Sequence, residues 1–219
     1  MMENSTLEQV IEQLEKYIEG KEPPIVTQLA ERKVSPFVLL ISTLLSARTK
    51  DEVTEAAVKR LFARASNPEE ILALPIEELE KLIYPVGFYR TKARNLHRAC
   101  AEIINRFHGD VPDNLEGLLS LAGVGRKTAN LVLALAFGKD AICVDTHVHR
   151  ITNRLGIVKT RNPEETELKL REILPQKHWQ RINTLLVKFG QDICRPLSPL
   201  CRRCPIRVYC RQVGIKGFR

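Results

Sequence analysis

The stretch Leu121-Ala-Gly-Val-Gly-Arg-Lys-Thr-Ala-Asn130 predicts a reversal of the chain between two helices. Upstream, leucines recur at helical spacing behind a potential cap at Asp113, and we expect that helix to end at Gly123, which tolerates a positive φ. Downstream, Thr128–Phe137 is apolar almost throughout, which predicts a buried helix that ends at Gly138. The sequence therefore predicts a helix, a tight hairpin and a second helix.

The hairpin has the composition of a phosphate-binding turn. Its two glycines leave backbone N–H groups unshielded at the start of the second helix, where aligned peptide dipoles attract an anion. We therefore expect a DNA phosphate to contact Gly123, Val124, Gly125 and Arg126.

An amine and a carboxylate accompany this turn. Lys127 belongs to it, and Asp145 follows in Cys143-Val-Asp-Thr-His147. A lysine near a helix N-terminus is electrostatically unfavourable, so its presence there indicates a functional role. Helix capping is a sufficient structural explanation for Asp145, which can also take part in catalysis. The pair suggests covalent chemistry with Lys127 as the nucleophile. The nearby His147 and His149 lack further ligands at a convincing spacing, so we expect hydrogen-bonding or surface histidines.

On these motifs the chain resembles the helix-hairpin-helix DNA glycosylases of the endonuclease III family. The match lies in Gly123-Val-Gly-Arg-Lys-Thr-Ala129 and Val144-Asp-Thr-His147, and the order and spacing of the surrounding segments extend it over nearly the whole chain. The resemblance implies a bifunctional DNA glycosylase and abasic-site lyase of base excision repair, which removes oxidised pyrimidines of the thymine glycol type. Its substrate would be double-stranded DNA that contains damaged bases or abasic sites.

The resemblance also implies a reaction. A damaged nucleotide would flip out of the duplex, and Lys127 would attack the sugar C1′ to form a Schiff base, followed by β-elimination on the 3′ side. Asp145 would take the lysine proton. We expect partial burial and the helix dipole to favour the neutral amine of Lys127.

Other functions fit some of these features. A mismatch or adenine glycosylase on the same scaffold is the nearest enzymatic alternative, although relatives without a covalent lysine usually carry another residue at the position of Lys127. A non-catalytic iron-sulfur DNA-binding protein and a zinc-stabilised helical module are the alternatives from other classes.

Four cysteines near the C-terminus form the pattern C-x6-C-x2-C-x5-C: Cys194, Cys201, Cys204 and Cys210. Four thiolates in so short a stretch can surround one metal centre, and composition alone also allows disulfides or zinc. The chain lacks a basic, apolar signal region, so we expect a cytoplasmic, nucleoid-associated protein that is not secreted. In the family that the chain resembles, this spacing holds one 4Fe-4S cluster. Cys100 and Cys143 lie among apolar neighbours and are predicted core residues.

The charge of the chain favours a partner that carries phosphates. Lysine and arginine number 34 against 26 aspartates and glutamates, which gives a net charge of +8 and a pI near 9.3. No acidic residue occurs in residues 193–219. We expect a DNA-facing patch there that includes Arg195, Arg202 and Arg203, with an ordinary solvated basic surface as the alternative.

Two further segments match loops that enter the duplex in the family. Leu44-Leu-Ser-Ala-Arg-Thr-Lys-Asp51 departs from the family at Arg48, where glutamine is common, and Val86-Gly-Phe-Tyr-Arg-Thr-Lys-Ala93 has Phe88 at the position of an apolar wedge. The alternative for Phe88 is a core aromatic. Ala122 is another departure, since proline commonly precedes the first hairpin glycine.

The rest of the pattern predicts an all-α protein. Ser35, Asn67 and Asn162 each precede a proline at a helix start, and Ser5 with Glu8 predicts a capping box. No alternating strand appears, nor an apolar run long enough to span a bilayer.

The resemblance implies a two-lobed fold, with a central six-helix domain at residues 28–139 and a discontinuous lobe at residues 1–27 and 140–219 that bears the cluster. The hairpin and Asp145 would flank the cleft between the lobes, and a monomer is expected.

Overall fold

The computed structural model describes residues 4–219, and the all-α prediction is confirmed for this part of the chain, which contains no β-strand. The helices are α1 (Asn4–Ile18), α2 (Ile25–Glu31), α3 (Pro36–Ser46), α4 (Asp51–Arg64), α5 (Pro68–Ala73), α6 (Ile76–Ile83), α7 (Tyr89–Phe107), α8 (Leu115–Leu119), α9 (Arg126–Phe137), α10 (Thr146–Leu155), α11 (Pro163–Ile173) and α12 (Ile182–Asp192). None of the described helices is long and apolar enough to cross a membrane.

The backbone divides into two compact units. The continuous unit is Ile25–Lys139 and holds α2–α9, which is eight helices where the resemblance implied six. The discontinuous unit combines the segment that ends at Pro24 with Asp140–Arg219 and holds α1 and α10–α12.

Three helices begin as the sequence predicted. Ser35 Oγ accepts from the backbone N–H of Val38 at 3.3 Å, and Asn67 Oδ1 accepts from that of Glu70 at 2.8 Å. Asn162 caps α11 in the same way, and a proline follows each cap. Proline suits the first helical position because its missing N–H would have had no intrahelical partner there.

The capping box predicted at Ser5 is wrong. Helix α1 already includes Asn4, so Ser5 lies inside the helix and does not cap it. The carboxylate of Glu8 makes other contacts: Oε1 lies 3.0 Å from Lys177 Nζ, and Oε2 lies 3.0 Å from His178 Nε2. These contacts hold α1 against the segment between α11 and α12, within the discontinuous unit.

The continuous unit is built around α3, which is buried along most of its length. Leu40, Ile41 and Leu45 are fully buried, and α3 packs against α4 and α9. Helix α7 packs in turn against α5 and α6. The central α3 thereby supports α9, the second helix of the predicted hairpin motif.

The discontinuous unit has its own apolar core. The face of α1 formed by Leu7, Val10, Ile11 and Leu14 is buried and belongs to the same core as Phe189 of α12. Burial of such side chains contributes about 1.5–3 kcal/mol each. This core also takes in the apolar face of α10, the helix that follows Asp145.

The hairpin forms with a shorter first helix and a longer second helix than predicted. Asn114, and not Asp113, caps α8 by accepting from the Gly117 N–H at 2.8 Å, while the Asp113 carboxylate pairs with Lys139 at 2.6 Å. Helix α8 ends at Leu119, before the turn that contains Gly123, and α9 begins two residues earlier than predicted, at Arg126.

The turn itself depends on two glycines with different geometries. Gly123 has a φ of +81°, and a Cβ added there would lie 2.8 Å from Asn95 Nδ2. Gly125 takes an extended conformation as the N-cap of α9, and a Cβ on it would meet nothing within 4 Å. Gly138 ends α9 with a φ of +62°, as predicted.

We predict that Gly123→Ala lowers the free energy of unfolding by about 1–2 kcal/mol, because it forces a side chain into the left-handed region and against Asn95. Gly125→Ala is the matched control and should cost no more than about 0.5 kcal/mol, since its backbone suits alanine. Urea unfolding of both variants measures the difference, and equal losses would contradict this account of the turn.

Candidate functional site

Lys127 is the second residue of α9, directly after the hairpin. Its side chain is exposed, so the predicted partial burial is wrong for this structure. The reason is local: the first turn of a helix has no preceding turn to cover it, and the residue before Arg126 is a glycine. No side chain caps α9, because its N-cap is Gly125.

Asp145 caps α10, as predicted. Its Oδ1 accepts from the backbone N–H groups of His147 at 2.8 Å and Val148 at 2.9 Å. The residue is 8% exposed. Both bonds end on one oxygen, and a carboxylate has a second oxygen with its own lone pairs. Capping therefore fixes the orientation of the carboxylate and does not use all of its accepting capacity.

The two neighbouring histidines form hydrogen bonds, as predicted. His147 Nδ1 lies 3.1 Å from Arg150 Nη2, and His149 Nδ1 lies 2.7 Å from Thr166 Oγ1. Each imidazole therefore has a partner on α10 or α11, within the discontinuous unit.

The four C-terminal cysteines line one cavity, together with apolar residues of α10 and α12. All of them are free thiols, so no disulfide joins them. Burial raises the pKa of Cys204 to about 11. Ile206 of this loop is buried in the core of the discontinuous unit. Within residues 4–219, no group of three or more His, Cys, Asp or Glu side chains is arranged to hold a single metal ion.

Two arginines of α10 hold the start of the cysteine loop. Arg150 donates through Nη2 to the Cys194 carbonyl at 2.9 Å, and burial lowers the pKa of its guanidinium. Arg154 donates to the Arg195 carbonyl at 2.7 Å and the Pro196 carbonyl at 2.8 Å, and its Nη1 lies 3.5 Å from Cys194 Sγ. The loop is therefore fixed to the helix that Asp145 begins.

The basic residues of this loop are on the surface. The side chains of Arg195, Arg202 and Arg203 are exposed. Arg195 donates through Nε to the carbonyl of Asp192 at 3.1 Å, at the end of α12. The remaining cysteines, Cys100 and Cys143, are buried in the core, as predicted, and burial raises the pKa of Cys100 to about 12.

The two predicted DNA-entering loops meet in the continuous unit. Arg48 lies between α3 and α4, and Phe88 lies between α6 and α7. Phe88 is 62% exposed, so it is not a core aromatic. The guanidinium carbon of Arg48 lies 5.6 Å from the centre of the Phe88 ring. Both residues have positive φ, 55° and 58°, a conformation that costs on the order of 1–2 kcal/mol for a residue with a side chain.

The structure adds three residues that the sequence did not point to: Arg150, Arg154 and Lys92, whose Nζ donates to the carbonyl oxygens of Leu45 and Ala47. Each donates mainly to backbone carbonyl oxygens. Every residue has such an oxygen, so the sequence does not show which residues accept. The only signal was the spacing of Arg150 and Arg154, four residues apart on one face of α10. Of the predicted site residues, the four cysteines come together in one unit, and Arg48 and Phe88 in the other. Lys127 belongs to the continuous unit and Asp145 to the discontinuous unit.

Comparison with known proteins places these features in a family. Residues 41–176 match the model of the HhH-GPD superfamily base excision DNA repair proteins. Endonuclease III of Thermotoga maritima is 48% identical over 85% of this chain and 87% of its own length. The chloroplastic endonuclease III homolog 2 of Arabidopsis thaliana is 44% identical over 93% of this chain, which spans 57% of that longer protein.

A solved structure agrees with these sequence relatives. The trapped endonuclease III–DNA covalent intermediate, in its estranged-adenine complex, is 36% identical and superposes with a TM-score of 0.86, covering 97% of both chains. The chain therefore belongs to the endonuclease III family within the HhH-GPD superfamily.

We predict that Asp145→Asn leaves the free energy of unfolding within about 0.5 kcal/mol of wild type, because asparagine caps as well as aspartate. Asp145→Ala should cost about 1–2 kcal/mol, because two N–H groups lose their acceptor. Thermal and urea unfolding of both variants test this. Equal stability of the alanine and asparagine variants would show that the cap contributes little.

Proposed function

We propose that this chain is a DNA glycosylase with abasic-site lyase activity, which acts on double-stranded DNA in base excision repair. The observation that carries the proposal is the glycine hairpin followed by Lys127, in a chain that superposes on a trapped endonuclease III–DNA covalent intermediate. A covalent intermediate needs a nucleophile on the protein, and a lysine amine can serve as one.

The proposed task begins with opening the duplex. A glycosylase must rotate the damaged nucleotide out of the stack, at a cost of a few kcal/mol. The hairpin would hold a phosphate of the bent backbone through Gly123, Val124, Gly125 and Arg126. Its support is the exposure of both glycines and the open space around Gly125, which lets a phosphate approach the backbone at the positive end of α9.

Lys127 and Asp145 would then carry out the removal of the base and the cleavage of the strand. The neutral amine of Lys127 would form a bond to the sugar C1′ while the bond from C1′ to the base breaks and the base leaves with the electron pair. Asp145 would accept the proton that the amine loses, and its negative charge would stabilise the cationic sugar. Opening of the sugar ring gives the Schiff base, and removal of a C2′ proton then breaks the C3′–O bond on the 3′ side.

Within this activity, oxidised pyrimidines of the thymine glycol type are the proposed substrates. Arg48 and Phe88 would enter the duplex beside the flipped nucleotide, with Phe88 as the wedge. Their support is their exposure and their mutual contact, which places a cation and a ring at one surface. Arg48 offers only donors, so it would favour acceptor groups on the base opposite the lesion.

The proposed cofactor is one 4Fe-4S cluster on Cys194, Cys201, Cys204 and Cys210. Four free thiols that line a single cavity fit such a group, and a cluster of four irons spreads its ligands more widely than one ion does. When bound, the cluster would tie the loop together through four iron–thiolate bonds. The loop would then present Arg195, Arg202 and Arg203 to the DNA backbone.

The domain roles follow from these sites. The continuous unit would supply the hairpin, Lys127 and the loops of Arg48 and Phe88, and the discontinuous unit would supply Asp145 and the cluster. The cytoplasmic, nucleoid-associated location and the monomeric state stay predictions.

The first test is trapping of the Schiff base. The purified protein is incubated with a duplex that carries one thymine glycol, or one abasic site, and borohydride is added. Wild type should give a covalent protein–DNA adduct on both duplexes. Lys127→Ala should give none, because the imine that borohydride reduces to a stable protein–DNA bond would form on the amine of Lys127. Lys81→Ala, which removes another exposed lysine of the continuous unit, is the matched control.

The outcomes separate the parts of the proposal. Trapping on the abasic site alone would keep the lyase and remove thymine glycol as a substrate. No wild-type adduct on either duplex, or an undiminished adduct with Lys127→Ala, would refute the covalent role of Lys127.

The second test concerns the cofactor. Cys204→Ser should lose iron, inorganic sulfide and the broad visible absorption of a cluster, and its affinity for duplex DNA should fall as the basic loop loses its order. Cys100→Ala is the control, because that cysteine is buried in the continuous unit, and it should keep its iron. A wild-type protein that contains zinc and no iron would overturn the assignment.

A further inference from the structure

The loops that carry Arg48 and Phe88 are in direct contact. The Gly87 N–H donates to Thr49 Oγ1 at 3.1 Å. A Cβ added to Gly87 would lie 2.6 Å from the carbonyl oxygen of Arg48, which is too close for any side chain. Glycine at position 87 therefore permits an approach that fixes the two loops relative to each other.

A single lysine, Lys92, holds the loop that carries Arg48. The Nζ of Lys92, in the first turns of α7, donates to the carbonyl oxygens of Leu45 at 2.7 Å and Ala47 at 2.6 Å. It also lies 3.3 Å from Thr49 Oγ1, the atom that accepts from Gly87. An ammonium group has three donors, and these three acceptors use all of them.

The surroundings of Lys92 are unusual for a surface lysine. Its side chain is partly buried, and this burial lowers its pKa to about 8. In the part of the chain that the structure describes, this ammonium donates to oxygens of the 45–49 segment and pairs with no carboxylate. A cation placed at such a cost to its solvation requires a compensating role, and the visible one is to fix the backbone on both sides of Arg48.

We propose that Lys92 is a positioning residue that holds Arg48 and Phe88 as one preformed wedge. The inference rests on the proposed function and extends it, because neither side chain would have to find its place after the duplex opens. Preorganisation of this kind helps the step that separates stacked bases, and it gives no advantage where no stack has to be opened.

Two substrates separate that role from general damage to the fold. Lys92→Met keeps the length of the side chain and removes its donors. We expect single-turnover cleavage of a lesion-bearing duplex to fall about tenfold or more, as for other misplaced groups near a site. Cleavage of an abasic site in single-stranded DNA should stay within about twofold, because no base pair has to be opened there. The duplex carries thymine glycol, or an abasic site if wild type cleaves only that.

Matched variants sharpen the result. Arg98→Met removes an exposed cation from the same helix and should change neither rate. Lys92→Arg restores donors and should recover part of the loss on duplex DNA. Because Lys92 acts partly through Arg48, the rate loss of Lys92→Met combined with Arg48→Ala should be smaller than the product of the two single losses.

The proposal fails if Lys92→Met slows cleavage of both substrates equally or leaves the duplex rate unchanged. It also fails if the rate losses of Lys92→Met and Arg48→Ala are independent, so that the double variant shows their full product. If Lys92→Met does not fold, Thr49→Val removes the acceptor that Lys92 and Gly87 share and should show the same selective loss at smaller size. A wild-type protein that cleaves neither substrate would refute the proposed function itself, whereas an active wild type with an unselective Lys92→Met refutes only the role of Lys92.

Discussion

The start of α9 is the constraint on which the proposed site depends. Five helices of the described chain begin with a side-chain cap, but the N-cap of α9 is Gly125, which has no side chain to offer. The positive end of the helix therefore faces outward at an exposed turn, and Lys127 adds a further cation. Such a site favours an external anion. Burial of the rest of α9 against α3 keeps this end in place.

The start of α10 differs from that of α9, because a side chain of the protein accepts hydrogen bonds from the first N–H groups of α10. Asp145 satisfies two N–H groups of α10 itself, which orients its carboxylate without a ligand. From the same helix Arg150 and Arg154 reach the cysteine loop, and they place positive charge beside Cys194. One short helix thus orients the proposed proton acceptor and the start of the proposed cluster loop.

Much of this architecture could be predicted from local patterns. A cap followed by proline predicted three helix starts, and Gly138 predicted one helix end, because these signals act within a few residues. Where neighbouring residues compete, the pattern was insufficient: Asp113 and Asn114 are both good caps, and only the observed register selects Asn114. The contacts of Lys92 could not be predicted, since its acceptors at Leu45 and Ala47 are backbone atoms far away in sequence.

The discontinuous unit also sets an order of assembly during synthesis. Helix α1 is made early, yet its apolar face packs against α12, which lies more than half of the chain further on. The continuous unit has all its residues available before α12 exists. Leu7, Val10, Ile11 and Leu14 consequently lack their native partners of α10 and α12 while residues 25–139 are being made. The apolar face of α1 therefore stays uncovered by its native partners until α12 is made, and uncovered apolar surface of this kind favours aggregation.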